Sequence, residues 1–174
     1  MFSQTTEYGL RAAACLARYY EVGPLTTEQI ADVTQTPTPY LAKVLLALAR
    51  EGLVESRRGI HGGHRLRRKP KDITLLDVVN AVEPIQRIHE CPLRLPEHSS
   101  HLCPVHERLD RAIACVLDFL ASSTLDDIVK EEPSRPPLCT LAPVHVERSR
   151  RVSARTKSAG AKDGKQGRRR STGR

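Results

Sequence analysis

Residues 53–68, LVESRRGIHGGHRLRR, place three glycines between two short runs typical of extended chain. Glycine adopts positive φ without steric cost, so Gly59, Gly62 and Gly63 permit a tight reversal. The pattern therefore predicts a two-stranded hairpin. Its charge is one-sided, because residues 57–71 contain no acid and seven basic side chains: Arg57, Arg58, Arg65, Arg67, Arg68, Lys69 and Lys71.

The rest of the folded part does not share this basic character. Residues 147–174 hold 11 Lys and Arg against 2 Asp and Glu, which leaves 17 basic and 18 acidic groups in residues 1–146. The formal net charge of +8 is thus a property of the tail. A basic hairpin in a nearly neutral body is explained most economically by contact with phosphates, and the alternative is a solvated surface hairpin.

Three helical patterns precede the hairpin. Residues 5–20 repeat apolar side chains at helical spacing, and TTEQIADV is a short second helix capped by one of its two threonines. A third helix has Thr38 as N-cap, Pro39 at its first position and Gly52 at its end. This order predicts a helix-turn-helix, with the hairpin as a wing. An ordinary three-helix core is the alternative.

A helix-turn-helix inserts the N-terminal end of its last helix into the DNA major groove, and a wing tip reaches the minor groove. The side chain of Tyr40 is equally suited to packing. The candidate base and phosphate contacts are Thr38, Pro39, Tyr40 and Lys43 on the third helix, and Arg57, Arg58, His61, His64 and Arg65 in the hairpin.

Helical patterns also dominate the C-terminal half. A fourth helix is capped by Thr74, and a short closing helix is capped by Thr124. Between them, VHERLDRAIACVLDFLASS predicts a long amphipathic helix that pairs with a second copy, unless it packs back on its own domain. The chain is thus mainly α, a winged helix-turn-helix with a two-stranded β-wing and a long C-terminal dimerisation helix. The expected parts are a DNA-binding domain at 1–83, a sensor loop and dimerisation helix at 84–132, and a disordered basic tail at 133–174.

The segment HECPLRLPEHSSHLCPVHER, residues 89–108, concentrates groups that bind metals. Cys91 and Cys103 lie twelve residues apart, and His106 follows the second cysteine by three. Two Cys and two His form a common zinc set, although the paired C-x-x-C spacing is missing here. A polar loop with two idle thiols is the alternative. Further histidines in the segment are His89, His98 and His101.

The remaining cysteines are not expected to bind metal. Cys15 and Cys115 lie on apolar helix faces and are predicted to be buried, whereas Cys139 lies among prolines. The first helix carries charges such as Glu7 and Arg11, so no secretory signal is expected. An odd number of cysteines then indicates reduced thiols in the cytoplasm. No membrane span, phosphate loop or nucleophile–base pair is visible, so we expect neither a membrane protein nor an enzyme.

Five strings of the chain resemble the Rrf-two family of bacterial winged-helix transcription regulators, the group of IscR and NsrR. They are EYGLRAAACLA, TPYLAKVLLALAREGLVES, RGIHGGHRL, ITLLDVVNAVE and STLDDIV. The resemblance covers about residues 1–130 in order, and its most specific element is the Gly-Gly pair of the wing. It implies a dimeric regulator, expected to be a repressor, that binds palindromic promoter sites in double-stranded DNA. In many members an iron–sulfur cluster controls the affinity.

The resemblance also implies a ligand set for a 2Fe-2S cluster. Cys91 and Cys103 match the outer two of the family's three cysteines, His106 matches a trailing histidine, and Glu7 matches a carboxylate supplied by the partner subunit. The middle cysteine is replaced by Glu97. Histidine in place of thiolate raises the reduction potential of such clusters, which suits sensing of redox state, nitric oxide or iron–sulfur status. A cluster-free regulator, a zinc-binding regulator and a winged-helix protein-interaction or redox scaffold are the alternatives.

Overall fold

The computed structural model describes residues 2–59, 62–92 and 101–130, and the predicted tail at 133–174 lies outside them. Within these ranges the chain is mainly helical with one two-stranded sheet, and no helix is long and apolar enough to cross a membrane. The elements are α1 (Gln4–Arg18), α2 (Thr27–Thr34), α3 (Thr38–Arg50), β1 (Val54–Arg57), β2 (Gly63–Leu66), a 3₁₀ turn (Pro70–Asp72), α4 (Leu75–Val82), α5 (Pro104–Ser122) and α6 (Leu125–Lys130).

Helix α1 is the central element and contacts α2, α3, α4, α6 and β2. Ser3 caps it, since its Oγ accepts the N–H of Thr6 at 3.1 Å. Residues 12–17 are all buried, and four of the six are alanine. A Cβ on Gly9 would lie 2.8 Å from Cγ2 of Val82 on α4. Small side chains on α1 therefore allow its neighbours to pack close to its backbone.

Helices α2 and α3 form the predicted helix-turn-helix. Thr26 caps α2 through reciprocal bonds with Gln29: its Oγ1 accepts the Gln29 N–H at 3.3 Å, and Gln29 Oε1 accepts the Thr26 N–H at 2.8 Å. Gln35 ends α2 in the left-handed region, with φ 52°. The buried hydroxyls of Thr34 and Thr36 bond to each other at 3.0 Å and fix the turn between the helices.

The start of α3 differs from the prediction. Pro37 occupies the N-cap position and Thr38 is the first helical residue, so Thr38 as N-cap is wrong. The reason is that the carbonyl of Pro37 accepts the first helical bonds, from the N–H groups of Tyr40 at 3.0 Å and Leu41 at 3.1 Å. Pro39 does not remove a helical hydrogen bond, since the N–H groups of the first turn have no acceptor within the helix. The buried stripe is as predicted: Leu41, Val44, Leu45 and Leu48.

The predicted hairpin is confirmed, with β1 and β2 antiparallel and Arg57 opposite Gly63. Strand β2 also bonds to the chain before α2, because His64 N–H donates to the Leu25 carbonyl at 2.7 Å and Leu25 N–H donates back at 3.0 Å. Gly63 has φ 142°, and a Cβ there would lie 2.6 Å from the Leu25 carbonyl oxygen. The wing therefore docks on the helix-turn-helix through a contact that only glycine permits.

The N-terminal ends of helices α4 and α6 are joined by backbone hydrogen bonds. Thr74 caps α4 as predicted, since its Oγ1 accepts the Asp77 N–H at 3.0 Å. Thr124 caps α6 as predicted, since its Oγ1 accepts the Asp127 N–H at 3.2 Å. Thr74 and Thr124 form an antiparallel bridge, and Leu125 is fully buried in the core. Helix α6 therefore packs with the N-terminal elements, although the sequence places it in the segment 84–132.

Helix α5 packs on α4 but leaves much of its surface uncovered. Within the described ranges, Leu120 is the only α5 residue that is buried. Val105, Leu109 and Phe119 are 64%, 50% and 68% exposed. They recur at helical spacing, so α5 presents an apolar face to solvent in the single chain.

We expect Gly63→Ala to lower the free energy of unfolding by about 1–3 kcal/mol, because alanine there combines a disfavoured φ with a backbone clash. Gly59→Ala is the matched control. Gly59 has φ 106°, but no atom of the described residues lies within 4 Å of an added Cβ, so only the conformational strain remains. Urea titration followed by circular dichroism measures both variants. Equal losses would show that the close approach to Leu25 contributes nothing.

Candidate DNA-binding surface and metal site

The tip of the wing carries exposed basic side chains on a turn closed by glycine. Arg57 and Arg58 are exposed, and the N–H of Gly62 donates to the Gly59 carbonyl at 2.8 Å. A Cβ on Gly62 would lie 2.2 Å from the Arg57 carbonyl oxygen, so a larger residue would open the turn. His61, another predicted contact, lies outside the described residues.

His64 lies on β2 opposite Ser56, one residue pair from the turn of the wing, where it links three elements. Its Nδ1 is 2.8 Å from Ser56 Oγ on β1, and its Nε2 is 3.1 Å from Thr27 Oγ1 at the start of α2. Burial lowers the pKa of His64, and the nearby carboxylate of Glu28 opposes this shift. Both ring nitrogens are thus engaged inside the protein, and they fix the wing relative to α2.

An acidic residue moderates the charge of the wing. Glu55 forms an ion pair with Arg65, which faces it across the hairpin, and lies 3.7 Å from Nε of Arg57. Exposed pairs of this kind contribute little to stability. Their effect is to align two arginine side chains on one face of the wing, where phosphates would compete with Glu55 for them.

The N-terminal half of α3 is exposed at all four predicted contact positions, Thr38, Pro39, Tyr40 and Lys43. The Tyr40 ring lies 6.2 Å from that of Tyr8, and Lys43 Nζ lies 5.9 Å from the Tyr40 ring centroid. Tyr40 is therefore placed both for packing and for DNA contact. One side of its ring packs on α1, and the residue remains 56% exposed beside a cation.

Three of the four predicted metal ligands come together. The Sγ atoms of Cys91 and Cys103 and a ring nitrogen of His106 all lie within 4.8 Å of one another. His106 Nδ1 is 3.2 Å from Cys103 Sγ and 3.7 Å from Cys91 Sγ. A tetrahedral ion with bonds of about 2.0–2.3 Å holds neighbouring ligand atoms roughly 3.5–3.8 Å apart. The donor set therefore fits a thiophilic metal such as zinc or the iron of an iron–sulfur cluster.

The first turn of α5 supplies two of these ligands. Cys103 is the N-cap residue and His106 is the third helical residue. A spacing of three residues turns both side chains to the same side of the helix end. Among the described residues, Cys103 makes no side-chain cap bond, so its sulfur faces His106 instead. The positive end of the helix dipole also favours negative charge at this position.

An ion pair ties the segment that carries Cys91 to α5. The carboxylate of Asp110 accepts hydrogen bonds from Nε of Arg87 at 2.6 Å and from Nη2 of the same side chain. It also accepts the backbone N–H of Ile88 at 3.0 Å. The Arg87 hydrogen bonds, aided by Ile88, lower the pKa of Asp110 to about 2. Asp110 lies one helical turn after His106, so this clamp holds the two halves of the metal group together.

Glu7, the fourth predicted ligand, is not in this group within the described residues of one chain. It lies in the first turn of α1 and pairs with Arg11, whose Nη1 donates to the Thr34 carbonyl at 3.4 Å. A ligand role for Glu7 therefore needs a second copy of the chain. Glu97 and His98 lie outside the described residues.

The other cysteines behave differently from each other. Cys15 is fully buried in α1 as predicted, and burial raises its pKa to about 12. The prediction of a buried Cys115 is wrong, because Cys115 is exposed. The reason is that its face of α5 points away from α4. Cys139 lies outside the described residues.

Two features of the structure are not among the sequence predictions. The Arg87–Asp110 clamp joins residues 23 positions apart in different elements, and a periodic pattern carries no trace of such a pair. Leu46 is 53% exposed on α3. The helical pattern does indicate this exposure, because Leu46 lies off the buried stripe and three residues after Lys43.

The helix-turn-helix, the docked wing and the basic side chains exposed on both define a winged-helix DNA-binding protein. The family model for Rrf2, described as an iron-dependent transcriptional regulator, matches residues 2–131. The chain belongs to this family, the Rrf-two family of the resemblance, and is a transcriptional regulator rather than an enzyme.

Individual relatives agree with this assignment. A protein of Aquifex aeolicus (strain VF5), named as an HTH-type transcriptional regulator, is 31% identical over 135 residues, 76% of this chain and 93% of that protein. IscR of T. potens has a TM-score of 0.65 at 26% identity and covers 78% of this chain and 90% of its own. CymR, the global cysteine regulator of B. subtilis, has a TM-score of 0.60 at 28% identity, with coverage of 74% and 95%. The predicted fold class is confirmed.

Proposed function

We propose that this chain is a cytoplasmic homodimer that binds palindromic promoter DNA, with an affinity set by a 2Fe-2S cluster at Cys91, Cys103 and His106. The observation that carries the proposal is the gathering of two sulfurs and one imidazole nitrogen within 4.8 Å at the start of α5. Redox state, nitric oxide or iron–sulfur supply would be the signal. Repression is the simplest output, since a protein bound at a promoter obstructs the polymerase.

The DNA-binding surface combines α3 with the wing. In this arrangement α3 enters the major groove and the wing follows the backbone toward the minor groove. His64 lies next to the tip pair of the wing, where Ser56 and Thr27 hold its ring, and we propose it as a further contact. The proposed contacts are Thr38, Pro39, Tyr40 and Lys43 on α3, and Arg57, Arg58, His61, His64 and Arg65 on the wing.

We expect Lys43→Ala and Arg58→Ala each to weaken binding to the DNA upstream of the protein's own gene, by about tenfold. Loss of one phosphate contact should also reduce the slope of log affinity against log salt by about one for Arg58→Ala. Fluorescence anisotropy at several salt concentrations measures both quantities.

The matched control is Arg111→Ala, which removes one exposed positive charge from α5, away from α3 and the wing. It should bind DNA as the wild type does. Unchanged affinity of both Lys43→Ala and Arg58→Ala would refute the placement of the DNA surface.

The chain's own residues would hold the cluster from two subunits. Cys91 and Cys103 would supply two thiolates, His106 would supply an imidazole, and Glu7 of the partner subunit would complete the set. When bound, the cluster would supply a one-electron change of charge. The Arg87–Asp110 pair holds the Cys91 segment on α5, so movement of the ligands is passed to that helix.

A single zinc ion is the second candidate, and one observation favours it. The distances of 3.2 and 3.7 Å from His106 Nδ1 to the two sulfurs bracket the spacing of ligands around one tetrahedral ion. In that case the three ligands of one chain and one further group would close a structural site, and the regulator would respond to zinc supply or thiol oxidation.

We expect wild-type protein purified without oxygen to show visible absorbance, with iron and sulfide in equal amounts. Cys91→Ala should be colourless, because it removes a buried ligand. Cys115→Ala is the matched control, since Cys115 is an exposed thiol outside the ligand group, and it should keep the colour. Elemental analysis separates the candidates: stoichiometric zinc without iron supports the second, and absence of both metals removes the metal site while leaving the DNA-binding surface standing.

The exposed face of α5 supports the homodimer. Its apolar side chains include Val105, Leu109 and Phe119, and Leu109 and Phe119 flank the exposed Cys115. A two-fold axis through the middle of the helix would pair this face with its own copy, which satisfies the self-complementarity of a symmetric dimer. The proposed ligand role of Glu7 requires that such a dimer bring Glu7 of one subunit to the ligand group of the other.

We expect light scattering to give twice the 19.4 kDa chain mass for the wild type and one chain mass for Phe119→Glu, because a carboxylate would be buried without a partner. Val22→Glu is the control, since Val22 is an exposed apolar residue outside α5 and should leave the dimer intact. A dimeric Phe119→Glu variant would contradict pairing through this face.

A further inference from the structure

Helix α3 carries an apolar side chain that the core does not use. Leu46 is 53% exposed, whereas its neighbours Leu45 and Leu48 are 1% and 0% exposed. A lone exposed leucine is ordinary on a protein surface. The position of Leu46 on the helix, however, places it on the same face as the proposed DNA contacts.

Leu46 lies on the outward stripe of α3 that begins with the proposed DNA contacts. Pro39, Lys43, Leu46 and Arg50 are separated by four, three and four residues, so their side chains share one face of the helix. All four are exposed. The sequence of α3 contains no acid. The face is therefore basic, with Leu46 between its two cations.

A basic face with one apolar residue matches a particular feature of duplex DNA. The edges of the bases in the major groove present hydrogen-bond donors and acceptors together with one apolar group, the C5 methyl of thymine. A leucine against a donor or acceptor would remove water from it without replacing the hydrogen bond, which is unfavourable. Against the methyl group it buries apolar surface on both sides.

We propose that Leu46 contacts the C5 methyl group of a thymine and makes the protein selective for that base at one position of each half-site. The inference rests on the proposed function, because it requires α3 to lie in the major groove. A protein partner is a poorer match for this stripe, since one leucine between Lys43 and Arg50 offers far less apolar area than the core of a protein interface.

The test uses duplexes that the full-length protein selects from a random-sequence library. In the selected duplex each thymine is replaced in turn by deoxyuridine, which removes the methyl group and nothing else, in both half-sites. We expect one position at which the replacement weakens wild-type binding about fourfold per half-site, the effect of losing one buried methyl-sized group. Leu46→Ala should bind the thymine duplex more weakly and lose all sensitivity to deoxyuridine at that position.

Lys43→Ala is the control variant: it should bind more weakly overall but keep the sensitivity to deoxyuridine. Equal sensitivity of the wild type and Leu46→Ala at every thymine would overturn the inference, as would a selected site at which no thymine methyl affects affinity. Failure of the proposed function gives a different result, because the wild type would then select no duplex, or Lys43→Ala would bind as tightly as the wild type.

Discussion

The close packing of α1 is the interaction on which the rest of the molecule depends. Its buried alanines and Gly9 let α2, α3, α4 and α6 approach one backbone, and added methylene groups there would force the helices apart. Helix α1 also contributes to both candidate functional sites, the DNA-binding surface and the metal site. Tyr8 on α1 packs against Tyr40 at the start of α3, and Glu7 beside it is the candidate ligand offered to a second copy.

The two functional regions differ in how firmly they are held. The wing is fixed by backbone bonds to Leu25, by the His64 ring and by the fit of Gly63, so it belongs to the rigid body. The metal group lies in an outer layer, where α5 buries only Leu120 and the Cys91 segment is held by the Arg87–Asp110 clamp. Elements with little buried surface open and shift more readily than core elements. The proposed sensor can therefore move while the proposed DNA-binding surface keeps its shape.

The features that sequence could predict are those determined by neighbours in the chain. Thr74 and Thr124 cap their helices as expected, and the glycines around residue 60 define the hairpin, because each depends on residues within a few positions. The prediction of Thr38 as a cap is wrong because Pro37 occupies that position, and two closely spaced prolines make the start of the helix ambiguous in the sequence.

Features that depend on distant contacts could not be predicted in the same way. Cys115 has the apolar neighbours of a core residue, yet nothing in its own helix reveals that α4 covers the opposite face. The family resemblance predicts that Cys91 and His106 lie together, whereas nothing in the sequence pairs Arg87 with Asp110, which lie 23 positions apart.

In the proposed function, the state of the Cys91, Cys103 and His106 group sets the affinity for DNA. The most direct measurement is the dissociation constant for the upstream DNA of one anaerobic preparation, before and after its bound metal is removed, with Cys91→Ala treated in parallel. We expect the dissociation constant of the wild type to change by about tenfold or more, which corresponds to a coupling free energy of about 1.4 kcal/mol or more. We expect no change for Cys91→Ala. Equal affinities of the wild type with and without metal would contradict the proposed coupling.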